Sequence, residues 1–276
     1  MRYRHIAAAA RLAGAAFRPQ RAPARILQRL TRADARAFLL LRLDSVSKSF
    51  GALKVVDAIS LSVAEGETLG IVGPNGAGKT TLFNLISGDL RMDAGTVQFD
   101  GREITALAPH RRCRAGLGRT YQIPQPFGAM TVFENLLVAA SFGGGLRERE
   151  AYPVCVEVLA TARLQARANT LAGALTLLDR KRLELARALA TRPKLLLLDE
   201  IAAGLTEPEA HELVEELKAI RARGITMIWI EHVMHALLAV ADRLFVMNYG
   251  QKLAEGSPQE VMNDTAVQRV YMGIEV

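Results

Sequence analysis

Apolar residues in this chain gather in short unbroken runs separated by turn-forming residues. Leu69, Ile71 and Val72 form one such run, residues 195–198 a second (four leucines in a row) and residues 225–230 a third. Runs of four to eight apolar residues read as strands buried on both faces, as in a parallel sheet covered by helices. Strand-like segments also begin near 39–45 and 59–63, and 95–99 runs into an Asp100-Gly101 turn that reads as a hairpin. Between 131 and 189 helical patterns dominate, broken at Gly143, Gly144 and Gly145, so the chain inserts helices between two buried strands. Residues 118–127 carry Pro124 and Pro126, break the periodicity, and read as a loop holding polar groups. The pattern predicts an α/β fold: a mostly parallel sheet with flanking helices, an antiparallel β part and a helical insertion.

The run at 69–72 leads directly into Gly73, Pro74, Asn75, Gly76, Ala77, Gly78, Lys79, Thr80 and Thr81, which fits G-x-x-x-x-G-K-[ST]. Its glycines let the backbone adopt positive φ and approach a ligand closely, so that successive N–H groups point at phosphate oxygens. Lys79 brings a compact charge to the β and γ phosphates, and the Thr80 hydroxyl is expected to ligate the Mg²⁺ bridging them. A helix expected from Thr81, Leu82 and Phe83 onward turns its positive end toward the same anion.

Two further strand ends carry chemistry. The leucine run ends in Asp199 and Glu200, and functional groups in open α/β sheets cluster at strand carboxyl ends. Asp199 is then expected beside Mg²⁺, with Glu200 placed to orient or deprotonate a water attacking the γ-phosphate. The plainer alternative is two acids that cap a following helix. Residues 225–230 end in Glu231 and His232, and His232 is expected to bond the γ-phosphate or the water. Phe50, 23 residues ahead of Gly73, is open to two readings, a base-stacking aromatic or a core residue.

The net charge of +7 changes little once its distribution is seen. Residues 1–42 hold ten arginines, no lysine and one acid, whereas the remainder has 25 basic against 27 acidic side chains. A nearly neutral body with a basic arm does not read as a nucleic-acid binder. The arm itself, residues 1–38, reads as a transit-like peptide, a disordered tail, a basic surface helix or a start codon assigned too far upstream. Cys113 and Cys155 lack the spacing of a disulfide frame or a zinc site. No uncharged apolar run reaches the ~18 residues of a membrane span.

With these motifs in order, residues 39–276 resemble the nucleotide-binding subunit of an ABC transporter. In that likeness, residues 73–80 match Walker A, 195–199 Walker B with Glu200 as catalytic carboxylate, Gln122 the Q-loop glutamine, His232 the switch histidine and Phe50 the base-stacking aromatic. More narrowly, R-T-Y-Q at 119–122, T-V-F-E-N-L-L-V-A at 131–139, A-G-L at 203–205, A-E-G-S-P at 254–258 and V-Y-M-G at 270–273 are similar to ATPase subunits of branched-chain amino acid importers. The resemblance implies a P-loop NTPase core with a helical subdomain over about 124–190. It also implies ATP and Mg²⁺ as cofactors, with Thr80, Gln122 and Asp199 around the metal. Two such subunits close head to tail on ATP, here a heterodimer or a homodimer. They dock on transmembrane permease subunits at the cytoplasmic face of the inner membrane, and an extracytoplasmic binding protein takes part indirectly. The permease and binding protein would choose the solute.

The signature segment departs from the family pattern. L-S-G-G-Q falls on Leu175, Thr176, Leu177, Leu178 and Asp179. Thr176 keeps a hydroxyl able to cap a helix and meet the opposite γ-phosphate, while leucines replace both glycines, with added bulk and a φ that Leu178 is expected to resist. Thr206 also stands where the family has Asp, and Ile201 where Pro or Ser is common. The departure points to an asymmetric heterodimer or to a subunit that binds ATP and scarcely hydrolyses it, the plainer alternative being that the leucines are accommodated and both sites hydrolyse. A soluble ATPase of DNA repair or translation is disfavoured by the short insertion, the single cradle and the absence of coiled-coil heptads.

Overall fold

The computed structural model describes residues 39–272; the arm at 1–38 lies outside them. Two sheets carry the fold. One is antiparallel, in the order β2 (Leu53–Ala64), β1 (Leu39–Phe50), β4 (Ala94–Phe99), β5 (Arg102–Glu103). The other has six strands in the order β10 (Gln251–Gly256), β9 (Arg243–Asn248), β3 (Thr68–Val72), β8 (Thr226–Ile230), β7 (Leu195–Asp199), β6 (Leu117–Arg119), all parallel except the β10–β9 pair. All three apolar runs of the sequence lie in the centre of this second sheet, where every residue of β3, β7 and β8 is buried. The Asp100-Gly101 hairpin joins β4 to β5, with φ of 50° and 71°. Two central residues of positive φ match the right-handed twist of the strands they link.

Side-chain alternation divides the interior in two. Leu195, Leu197, Ile228, Ile230, Phe245 and Met247 face a core shared with the antiparallel sheet and with α1 (Lys79–Ser87). Their neighbours Leu196, Leu198, Met227, Trp229, Leu244 and Val246 face a second core. This second core is shared with α3 (Val132–Val138), α4 (Glu148–Thr161), α5 (Leu177–Ala190) and α6 (Glu207–Ala222). Each fully buried leucine contributes about 1.5–3 kcal/mol relative to exposure, so the period-two pattern pins the sheet's register against both layers.

Local chemistry fixes the ends of the helices. Helix α1 starts two residues earlier than the sequence pattern indicates, because Gly78 takes the left-handed conformation at its N-cap (φ 97°) and leaves Lys79 free to be the first helical residue. At its other end the buried Arg112, from α2 (Pro109–Arg114), donates to the carbonyls of Leu85 and Ile86 at 2.8 and 2.7 Å. A cation bonded to the last carbonyls of a helix satisfies groups that have no partner within it and complements the dipole. Helix α3 opens with a capping box between Thr131 and Glu134 and continues into a π turn over Ala139–Gly143. The remaining helices are α7 (Met234–Leu238), α8 (Pro258–Met262) and α9 (Thr265–Met272).

Candidate active site

The cradle loop joins β3 to α1 at the carboxyl end of the central strands. Its glycines are used for close approach: a Cβ on Gly73 would lie 2.2 Å from the Met247 carbonyl oxygen, and one on Gly78 2.4 Å from that of Val55. Asn75, Gly76, Ala77, Gly78, Lys79, Thr80 and Thr81 line a cleft of about 210 Å³ together with Glu200 and Val55. Thr80 is exposed, whereas Lys79 is buried, its ammonium donating to the carbonyls of Gly73 (2.7 Å) and Pro74 (3.0 Å). Burial pushes the Lys79 pKa down, opposed by the charges of Glu200 and Asp199. Such an ammonium, held by neutral carbonyls in a low-dielectric loop, favours an incoming polyanion.

Across the cleft, three polar side chains meet. Gln122 donates its amide Nε2 to Glu200 Oε2 at 2.6 Å, and His232 Nε2 lies 2.8 Å from Glu200 Oε1. The three come from the loop after β6, the tip of β7 and the tip of β8, adjacent strands of one sheet. Glu200 has a φ of 46°, a left-handed conformation rare for its residue type. Its N–H is bonded to the Ile230 carbonyl. Strain of this kind persists where surrounding contacts over-determine it.

Asp199 is 3% exposed and bonded to Arg119, whose guanidinium also donates to Ser87 and Asp89 and lies 4.8 Å from the Tyr121 ring centroid. Burial raises the Asp199 pKa and Arg119 opposes the rise. The oxygen donors on offer, the Thr80 hydroxyl, one Asp199 carboxylate and the Gln122 amide oxygen, are the hard ligands Mg²⁺ takes when phosphates and water complete its shell.

Sequence-predicted Phe50 ends β1 with half of its surface exposed and Lys48 above its ring, so it is not part of the core. Thr176 is the N-cap of α5, accepting from the Asp179 N–H at 3.2 Å. The expected resistance at Leu178 is not there. Leu177 and Leu178 are ordinary first residues of a helix, without positive φ, and Leu178 turns into the protein at 8% exposure. The bulk lies on Leu177, which is 46% exposed.

Three residues around the site escaped the motif reading. Arg119 sits inside R-T-Y-Q, three residues before Gln122. Glu231, buried beside His232, accepts from the N–H groups of His232, Val233 and Ala202 and so ties the tip of β8 to the segment after Glu200. Burial raises its pKa, against those backbone donors. Lys181 bonds two carbonyls of the site from α5. The one available clue to Lys181 was a charged residue on the buried stripe of a helix.

Residues 56–203 match the family model described as ABC transporter. The chain belongs to the ABC transporter family. Residues 251–276 also match a model described as branched-chain amino acid ATP-binding cassette transporter. The chain is 36% identical over 249 residues to the high-affinity branched-chain amino acid transport ATP-binding protein BraF of Pseudomonas aeruginosa, covering 85% of this chain and 98% of that protein. It is 35% identical over 234 residues to the lipopolysaccharide export system ATP-binding protein LptB of Haemophilus influenzae, covering 85% and 97%. A crystal structure of the ADP conformation of an ATP-binding cassette superimposes with a TM-score of 0.78 at 35% identity, covering 86% of this chain and 99% of that one. This ABC protein is therefore a nucleotide-binding ATPase of a transporter, and subunits of its kind dimerise and work with transmembrane components. No helix among its described residues is long and apolar enough to cross a membrane.

Proposed function

We propose that this chain is the ATPase subunit of an importer for branched-chain amino acids or related amino acids and amides, seated on permease subunits at the cytoplasmic face of the membrane. The observation that carries the catalytic part is the meeting of Gln122 and His232 on the two oxygens of Glu200 beside the cradle. In this reading the cradle amides and Lys79 hold the phosphates of ATP, and Phe50 stacks on the base. Thr80, Asp199 and Gln122 would hold Mg²⁺, which would supply positive charge to offset that of the phosphates. Glu200 accepts the proton of the attacking water, and His232 steadies the γ-phosphate.

The match over 251–276 favours amino-acid import, since overall identity to the import and export relatives is nearly equal. A groove of about 270 Å³ between α1, α2 and α5, lined by Asp89, His110, Arg119, Tyr121 and Arg187, suits a permease helix. The extracytoplasmic binding protein would meet only the permease. Uptake of labelled leucine by vesicles carrying the assembled transporter tests the proposal: Lys79→Ala should abolish it, and leucine uptake that survives the substitution refutes the role given to the cradle.

The exposed Leu177 favours a second reading of the dimer, in which the partner is a different ATPase with an intact signature. This chain's Glu200 and His232 then form the working site, while the partner's cradle faces Leu177. Glu200→Gln in this subunit should remove most transport-coupled hydrolysis; activity near wild type, with loss only from the equivalent change in the partner, reverses the assignment.

A further inference from the structure

We propose that Lys181 is a positioning residue that couples this chain's signature segment to its own catalytic carboxylate. The inference rests on the roles given above to Thr176, Gln122 and Glu200. Lys181 stands just over one turn into α5, five residues beyond the Thr176 cap, and is 3% exposed. Its ammonium donates to the Gln122 carbonyl at 2.7 Å and to the Glu200 carbonyl at 3.3 Å. One charged group thus holds the backbones of the two residues whose side chains meet at 2.6 Å.

A lysine that only filled space here would be a poor choice, because an ionised amine is costly to bury and a leucine or methionine packs as well. What an apolar residue cannot do is bond two carbonyls at once. The Glu200 carbonyl belongs to a residue at φ 46°, so its donor also restrains a strained backbone. Burial pushes the Lys181 pKa down, and the charges of Glu231, Glu200, Glu184 and Asp199 oppose the fall.

The coupling follows from rigidity. When Thr176 and Leu177 engage the nucleotide of the opposite subunit, α5 shifts as one body and carries Lys181 with it. Gln122 and Glu200 move with the ammonium, so occupation of the partner's site is read at this chain's own water-activating group. A misplacement of about 1 Å at a reacting centre costs on the order of 10²-fold in rate.

The test uses the assembled transporter with MgATP, comparing wild type, Lys181→Met, Lys181→Arg and Lys79→Ala. Lys181→Met should lower kcat more than tenfold per folded complex while the KM for ATP stays within threefold, and Lys181→Arg, which keeps the donors, should recover a large part of the rate. A fall in kcat smaller than tenfold, a loss confined to KM, or an arginine variant no better than methionine overturns the proposal. So does failure of both lysine variants to fold, which would make the residue a structural keystone alone. Lys79→Ala separates the two levels: turnover that survives it refutes the ATPase reading itself, whereas turnover that it abolishes while Lys181→Met remains active refutes only the coupling.

Discussion

Arg119→Met isolates the electrostatic part of the site. The substitution keeps an unbranched stem beside Phe83 and Tyr121 but removes the guanidinium that joins Asp199 to Asp89 and Ser87. The two carboxylates are not left in equal straits: the Asp199 side chain is 4% exposed and that of Asp89 32%, so water re-solvates Asp89 and leaves the cost on Asp199. Removing one partner of a buried pair costs about 3–5 kcal/mol. For a domain of this size each kcal/mol moves Tm by roughly 2–4 °C, so the variant should melt ~6–20 °C lower. Thermal unfolding of the nucleotide-free chain in the presence of a chelator measures this without a metal ion standing in for the lost cation. Adding Asp199→Asn to Arg119→Met should then restore about 2 kcal/mol or more, because the stranded charge is gone. If instead the two changes add to within about 0.5 kcal/mol, the pair is not coupled and the argument is wrong.

Gly78→Ala places a methyl group 2.4 Å from the Val55 carbonyl oxygen at a φ of 97°, so the loop must open; ATP affinity measured by calorimetry should fall more than tenfold, and an unchanged Kd contradicts the close-approach reading. Glu200→Gln keeps the shape of the side chain but cannot take a proton, and kcat should drop by about 10²–10⁴ with ATP binding within threefold of wild type in single-turnover experiments. Cys155 is fully buried and its thiol is pushed up to about 12 by burial, so an alkylating reagent at pH 8 should modify it only after unfolding. Because the folded thiol holds its proton above the unfolded value, stability should decline as pH rises from about 9 toward 12, and a flat profile there argues against the burial.

The cradle and the three buried runs were legible because their chemistry is local: a fixed spacing of glycines, a lysine and a hydroxyl, and leucines without interruption. Glu200 and His232 were singled out because strand tips in such sheets collect functional groups, and the structure brings the two side chains together. Leu178 was misjudged, since a residue's φ at a helix start depends on the cap before it, and Thr176 supplies a normal one. Phe50 was open to two readings along the chain, and its exposure removes the core one. Arg119, Lys181 and Glu231 each bond a partner 19 to 80 residues away, and no periodicity along a single chain encodes such pairings.

The alternation along β7, β8 and β9 gives the molecule two separate footings. Helix α1, which carries the cradle, stands on one side of the central sheet, and α5, which carries the signature segment, stands on the other. In the proposed dimer one chain would meet two different ATP molecules from footings on opposite faces of a single layer of strands. The Lys181 ammonium, bonded from α5 to the Gln122 and Glu200 carbonyls at the strand ends, is a tie across that layer by which a tilt of one footing would reach the other.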